Sequence, residues 1–179
     1  VAQVAVFDTA FHQTLPKEAY CYALPLALCE KEDIRRYGFH GTSHHYVAEM
    51  SAQLLDKKLS SLNLITLHLG NGASVCAIEA GKSIDISMGF TPLEGLMMGT
   101  RCGDIDPAIV LYLQNRLHKS TAEIEQILNK ESGLKGICGS NDMRTIESMS
   151  KEGNTKATLA IDMFVRRIKK YIGSYIALL

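Results

Sequence analysis

The chain has 179 residues, 46% of them hydrophobic, with 19 basic and 19 acidic side chains. That is enough apolar mass for one sizeable core or two small ones and makes disorder unexpected. The zero formal charge leaves no positive field to hold a nucleic acid or an anionic membrane, so a small-molecule partner is favoured.

The five cysteines, at 21, 29, 76, 102 and 138, are odd in number and form no CxxC pair. They suit neither a disulfide framework nor a paired zinc site, and they point to a reducing, cytoplasmic compartment. No uncharged run is long enough to span a bilayer, and the first residues lack the basic and apolar regions of a secretory signal. The chain opens without methionine in a strand-like run and stops inside an amphipathic pattern, so both ends read as cut.

Val4 to Phe7 is short, apolar and β-branched, which predicts a buried strand with Asp8 at its carboxyl end, where open α/β sheets place ligand-binding residues. Helical character follows from Lys17 to Glu32, interrupted by Pro25. Residues 37–43 read as a loop, with Thr42 or Ser43 capping a helix that runs to about Asp56. Leu62 to His68, Ala73 to Glu79 and Ser83 to Met88 predict a three-stranded meander with a glycine-rich first turn. Phe90 to Asp104 is a long loop. Asp106-Pro107 opens a helix to about Leu117, and Ser120 to Glu123 is a capping box. Gly133 to Gly139 breaks the pattern before Asn141 or Asp142 caps a helix, and Asn154 caps a final amphipathic one. Intermixed strands and helices make the class α/β.

Four places could carry chemistry. The turn His68-Leu69-Gly70-Asn71-Gly72 is first of all a hairpin signal, but its glycines also let backbone N–H groups approach a phosphate. Arg101 stands between Gly99 and Gly103, free to fork onto a carboxylate or phosphate, or equally a surface arginine paired with Asp104 or Asp106. His40 and His44 are four apart, a metal spacing, yet the serine and threonine beside His40 suit a capped ring that donates to a phosphoryl oxygen. His44 and His45 read as packing or helix-surface residues. Asp8 is either a solvated turn residue or a carboxylate in a cleft.

Five segments, FDTAFHQTLP (7–16), RRYGFHGTSHHYV (35–47), HLGNGASV (68–75), SMGFTPLEGLMMGTRCGDIDP (87–107) and NDMR (141–144), resemble the acetate kinase family, which includes propionate and butyrate kinases. The resemblance implies two RNase-H-like α/β domains of the sugar kinase, hsp70 and actin superfamily, with the active site in the cleft between them. It places residues 1–15 at the end of the first domain and 16–179 in most of the second, truncated at its end. It implies ATP or ADP and Mg²⁺, a short-chain carboxylate substrate and a homodimer. Its metal-linked residues lie outside this sequence.

By matching position, the resemblance makes Asp8, His40 and Arg101 catalytic. It assigns His68, Leu69, Gly70, Asn71 and Gly72 to the ATP phosphates, and Asp142, Met143 and Arg144 to the nucleoside. A carboxylate substrate is already ionised at neutral pH, so Asp8 is expected to orient Arg101, the metal or its waters rather than to act as a base. The competing readings are a sugar kinase, which should lack FHGTSH and MGTR, a propionate kinase, and a noncatalytic nucleotide-binding fragment.

Overall fold

The computed structural model describes residues 1–179. Its sheet is the expected meander: β1 (Asn63–Leu69), β2 (Ala73–Glu79) and β3 (Lys82–Ile86), in that order. A three-residue link between β1 and β2 leaves no room for a crossover and returns the chain antiparallel. β2 pairs antiparallel with β3, Cys76 opposite Ile86 and Ala77 opposite Asp85. The two-residue link Ala80-Gly81 has positive φ at both positions, 49° and 81°, which matches the twist of a tight hairpin. As the middle strand, β2 is covered on both faces, and every residue from Ala73 to Ile78 is buried.

The chain divides into two compact units. The first comprises residues 1–68, 74–92 and 170–179, the second residues 69–73 and 93–169. In the first unit lie α1 (Lys17–Tyr20), α2 (Leu26–Lys31), α3 (Gly41–Leu54) and most of the sheet. α3 buries Gly41, His44, Ala48 and Ala52, whose spacings of three, four and four lay one helix face inward. His12, on a 3₁₀ turn at Ala10–Thr14, is 1% exposed. Its Nε2 donates to the Phe39 carbonyl at 2.9 Å, which fixes the tautomer, so Nδ1 accepts from the Ser83 hydroxyl at 2.8 Å.

The second unit holds α4 (Ala108–Asn115), α5 (Thr121–Gln126), a π-helical turn at Ile127–Glu131, α6 (Gly133–Cys138), α7 (Met143–Lys151) and α8 (Thr155–Leu178) as far as Lys169. Its core is Met97, Leu134, Ile146, Ala157 and Ala160. The Ser120–Glu123 capping box forms in full, Asp142 caps Arg144 N at 3.0 Å, and Asn154 caps α8 through Lys156 N and Ala157 N. No helix is long and apolar enough to cross a membrane.

Three expectations fail. Val4 to Phe7 is not a buried strand: the segment is irregular, with Val4 85% and Phe7 70% exposed, because the sheet offers it no neighbour to pair with. Neither Thr42 nor Ser43 caps α3; that place is taken by His40, in the left-handed region at φ 59°. Residues 133–139 do not break the helical pattern but form α6 between Gly133 and Gly139, both at positive φ. The loop before it supplies what the local sequence lacks: Met98 O accepts from Leu134 N and Gly99 O from Lys135 N, each at 2.9 Å.

Candidate functional site

In the first unit the site grows from the entry to α3. A left-handed His40 needs outside support, and Asp8 gives it: one carboxylate oxygen accepts the His40 N–H at 2.7 Å, and the Asp8 carbonyl accepts from Gly41 N at 2.8 Å. A Cβ on Gly41 would collide with that carbonyl, so only glycine fits the turn. The His40 ring is held from two sides. It stacks on His68, centroids 3.9 Å apart, and its Nδ1 lies 2.9 Å from the Ser74 hydroxyl. His68 in turn meets Ser43 Oγ at 2.9 Å.

Behind Ser74 is His44, 1% exposed, with Nε2 2.7 Å from Ser74 Oγ and Nδ1 2.8 Å from Thr66 Oγ1. Burial pulls its pKa down to about 3, helped by the nearby His12, His40 and His68, so it is neutral in ordinary conditions. Both ring nitrogens are occupied by hydroxyls, which settles the spacing of His40 and His44 as structural rather than metal-binding. The packing assignment holds for His44. His45 fits the other half of that reading, a helix-surface residue, half exposed beside Glu49 at 3.6 Å and stacked on Phe11.

In the second unit a cavity of about 670 Å³ is bordered by Leu69, Gly70 and Asn71 of the glycine turn, by Gly99, and by Asn141, Asp142 and Met143. Leu134 and Phe164 give it an apolar wall. Asn141 Nδ2 donates to Asn71 Oδ1 at 2.9 Å, and Gly99 N donates to the Asn71 carbonyl at 3.0 Å, so the turn is clamped by residues far away in sequence. A Cβ on Gly99 would strike the Asn71 amide, which explains glycine there. Sequence reasoning missed Gly99, Asn141 and Phe164 as site residues, since nothing local signals a contact to Asn71.

Arg101 belongs to the second unit, on a loop whose carbonyls at Met98, Gly99 and Thr100 accept from Leu134, Lys135 and Ser132 at 2.9 to 3.1 Å. One guanidinium nitrogen lies 3.9 Å from Met98 Sδ. The carboxylate of Asp104 is also engaged by Arg167 at 3.1 Å. Asp142 and Met143 border the cavity; Arg144 does not. Its guanidinium bonds Asp142 at 2.7 Å, and its hydrogen bonds hold that carboxyl down to about 2. Gly72 serves the turn by accepting from Gly70 N at 3.0 Å, while His68 falls in the first unit beside His40.

Asn141→Ala removes the bond that sets the Asn71 amide. On the nucleotide-binding role that the sequence resemblance implies for this turn, the expected result in the full-length protein is a loss of about five- to tenfold in ATP affinity with stability nearly unchanged, because the pair is exposed, and calorimetric titration checks it.

Known proteins are similar in sequence and in backbone fold. The model described as the Acetokinase family matches residues 1–179. Acetate kinase from Halothermothrix orenii is 61% identical over 180 residues, taking in all of this chain and 45% of that protein. Acetate kinase from Campylobacter jejuni (strain 81116) is 61% identical with the same coverage. Among solved structures, Porphyromonas gingivalis acetate kinase superposes with a TM-score of 0.94 at 50% identity, covering 97% of this chain and 44% of its own. A propionate kinase from Francisella tularensis also gives 0.94, at 51% identity, covering 97% of this chain and 45% of its own. The chain thus spans about 45% of the length of its curated relatives. With every residue inside the family match, and the backbone following that of solved members almost throughout, this chain belongs to the Acetokinase family.

Proposed function

We propose that the protein transfers a phosphoryl group reversibly between ATP and acetate, giving acetyl phosphate and ADP, as an acetate kinase. The observation that carries the reading is the 61% identity, without truncation on this chain's side, to an acetate kinase. The Francisella neighbour keeps propionate as the second reading, since its structure fits this chain as well as the acetate kinase structure does. In this reading residues 1–15 close a first domain and 16–179 make most of a second. The working molecule is a cytoplasmic homodimer, and the isolated chain binds nucleotide without turning it over.

Phosphoryl transfer asks for alignment and for neutralisation of charge on the equatorial oxygens. His40 donates to a phosphoryl oxygen, and its ring is placed for this by the stack on His68 and the bond to Ser74. Arg101 neutralises developing charge, on a loop held rigid by α6. Leu69, Gly70 and Asn71 border the nucleotide's cavity, whose size suits a nucleotide, and Gly72 shapes the turn. Asp142, an anion in all ordinary conditions, accepts from sugar hydroxyls, Met143 lies against the nucleoside, and Arg144 keeps Asp142 ionised. Asp8 holds the turn that carries His40, a positioning role that needs no proton transfer from an already ionised substrate.

No group of three His, Cys, Asp or Glu side chains stands together to hold a metal ion. Mg²⁺, when bound, would supply charge neutralisation at the nucleotide's phosphates, and the family resemblance puts its protein-linked residues outside this sequence. Hydroxylamine trapping of acyl phosphate, with the full-length protein, ATP, Mg²⁺ and acetate, propionate or butyrate in turn, tests the reading. Turnover fastest with acetate is expected. Inactivity on all three acids sinks it.

A further inference from the structure

Three hydrogen bonds run inward from His40, and together they decide where its ring carries a proton. Ser74 Oγ lies 2.9 Å from His40 Nδ1 and 2.7 Å from His44 Nε2, and Thr66 Oγ1 lies 2.8 Å from His44 Nδ1. Ser74 is fully buried and Thr66 is 5% exposed, so neither hydroxyl can turn to water. Each hydroxyl has one proton to give, and neutral His44 has one N–H. Three arrangements fill all three bonds. One of them, in which Ser74 Oγ accepts from both rings, leaves the buried Ser74 proton with no acceptor and is set aside on that ground; the other two run in opposite directions throughout.

In the first, Thr66 donates to His44 Nδ1, His44 Nε2–H donates to Ser74, and Ser74 donates to His40 Nδ1. In the second every direction is reversed, and the Thr66 proton is left with no acceptor, because its hydroxyl makes no other hydrogen bond. A buried hydroxyl proton without a partner is costly, so the first arrangement wins. Asp8 bonds the His40 backbone N–H.

We propose that Ser74, backed by His44 and Thr66, is a positioning residue that locks His40 in the tautomer with its proton on Nε2, so that the ring meets a phosphoryl oxygen as a donor. The part concerning the phosphoryl group rests on the kinase reading above; the tautomer does not. In the reversed arrangement the same neutral ring would present a lone pair to an anion and repel it. The chain of hydroxyls thus fixes a hydrogen-bond polarity that the geometry of His40 alone leaves open.

The test is nitrogen-15 NMR of histidine-labelled full-length protein at neutral pH, with the His40 signals assigned through His40→Gln. A protonated Nε2 and an unprotonated, hydrogen-bonded Nδ1 on His40 are expected. Thr66→Val, nearly isosteric and two residues removed from His40, should bring up a measurable share of the Nδ1-protonated form. Ser74→Ala should do the same and lower kcat about tenfold while the KM values move less than about twofold.

A wild-type His40 protonated on Nδ1, or a tautomer indifferent to both substitutions, overturns the proposal. So does a Ser74→Ala protein of native kcat. The expected tautomers in a protein inactive on every acid uphold the hydrogen-bond assignment and remove only the kinase reading.

Discussion

Arg101→Ala in the full-length protein is expected to lower kcat for acyl phosphate formation by about 10³-fold, with nucleotide affinity changed far less. An arginine that neutralises charge appearing only in transit contributes to the rate and little to ground-state binding. The shape of its loop is set by backbone bonds from Ser132, Leu134 and Lys135 into Met98, Gly99 and Thr100, none of which involves the Arg101 side chain.

Arg101→Lys should recover only a small part of the loss, since an ammonium restores charge without the planar fork. Initial rates by hydroxylamine trapping, with calorimetric ATP titration on the same preparations, separate the two effects. A kcat within tenfold of wild type would take Arg101 out of the reaction. Gly133→Ala makes a useful contrast. A Cβ there would strike the Met98 and Arg101 carbonyls at φ 63°, so it should displace the loop and lower both activity and stability, the latter by about 2 to 4 kcal/mol in denaturant unfolding.

Much of this was legible along the chain wherever the physics is local. Caps at Ser120, Asp142 and Asn154 answer N–H groups two or three residues away, and the meander follows from short apolar runs separated by two tight turns. Where the deciding partner is distant, local reading failed. The glycines around residues 133–139 signal a break, but the carbonyls of Met98 and Gly99 complete a helix there. Val4 to Phe7 has every local mark of a strand and no neighbour to pair with.

The candidate site divides in the same way. His40 and the glycine turn announced themselves through residue type. Ser74 lies in the HLGNGASV segment, yet nothing local showed that it sits 2.9 Å from His40 with a buried histidine behind it. His44 was read as packing, which is true of its burial but omits that both its nitrogens are engaged. The clamp of Asn141 on Asn71 spans 70 residues, beyond the reach of any spacing argument.

That same buried histidine predicts an acid weakness. The folded state holds the His44 pKa down to about 3, chiefly through burial, against an ordinary value of 6.5. Above pH 6.5 both folded and unfolded states leave it neutral, and the stability is fully present. As pH falls below 6.5 the unfolded chain takes up a proton that the folded one refuses until about pH 3, so stability is lost across that window. The slope is about 1.4 kcal/mol per pH unit for one proton, and the whole window is worth on the order of 5 kcal/mol.

His12, whose pKa burial also lowers, steepens the same limb. Urea unfolding of the full-length protein between pH 8 and pH 5 should therefore show a falling free energy, and His44→Gln should flatten it by about one proton while leaving the His12 contribution. Gln cannot reach both Ser74 and Thr66 as the ring does, so the variant starts less stable at pH 8, and the difference in slope is the informative quantity. Parallel curves would mean that His44 takes its proton in the folded state too. The buried chain behind His40 would then carry charge at a position that its two hydroxyl partners and its lack of any acidic partner are arranged to keep neutral.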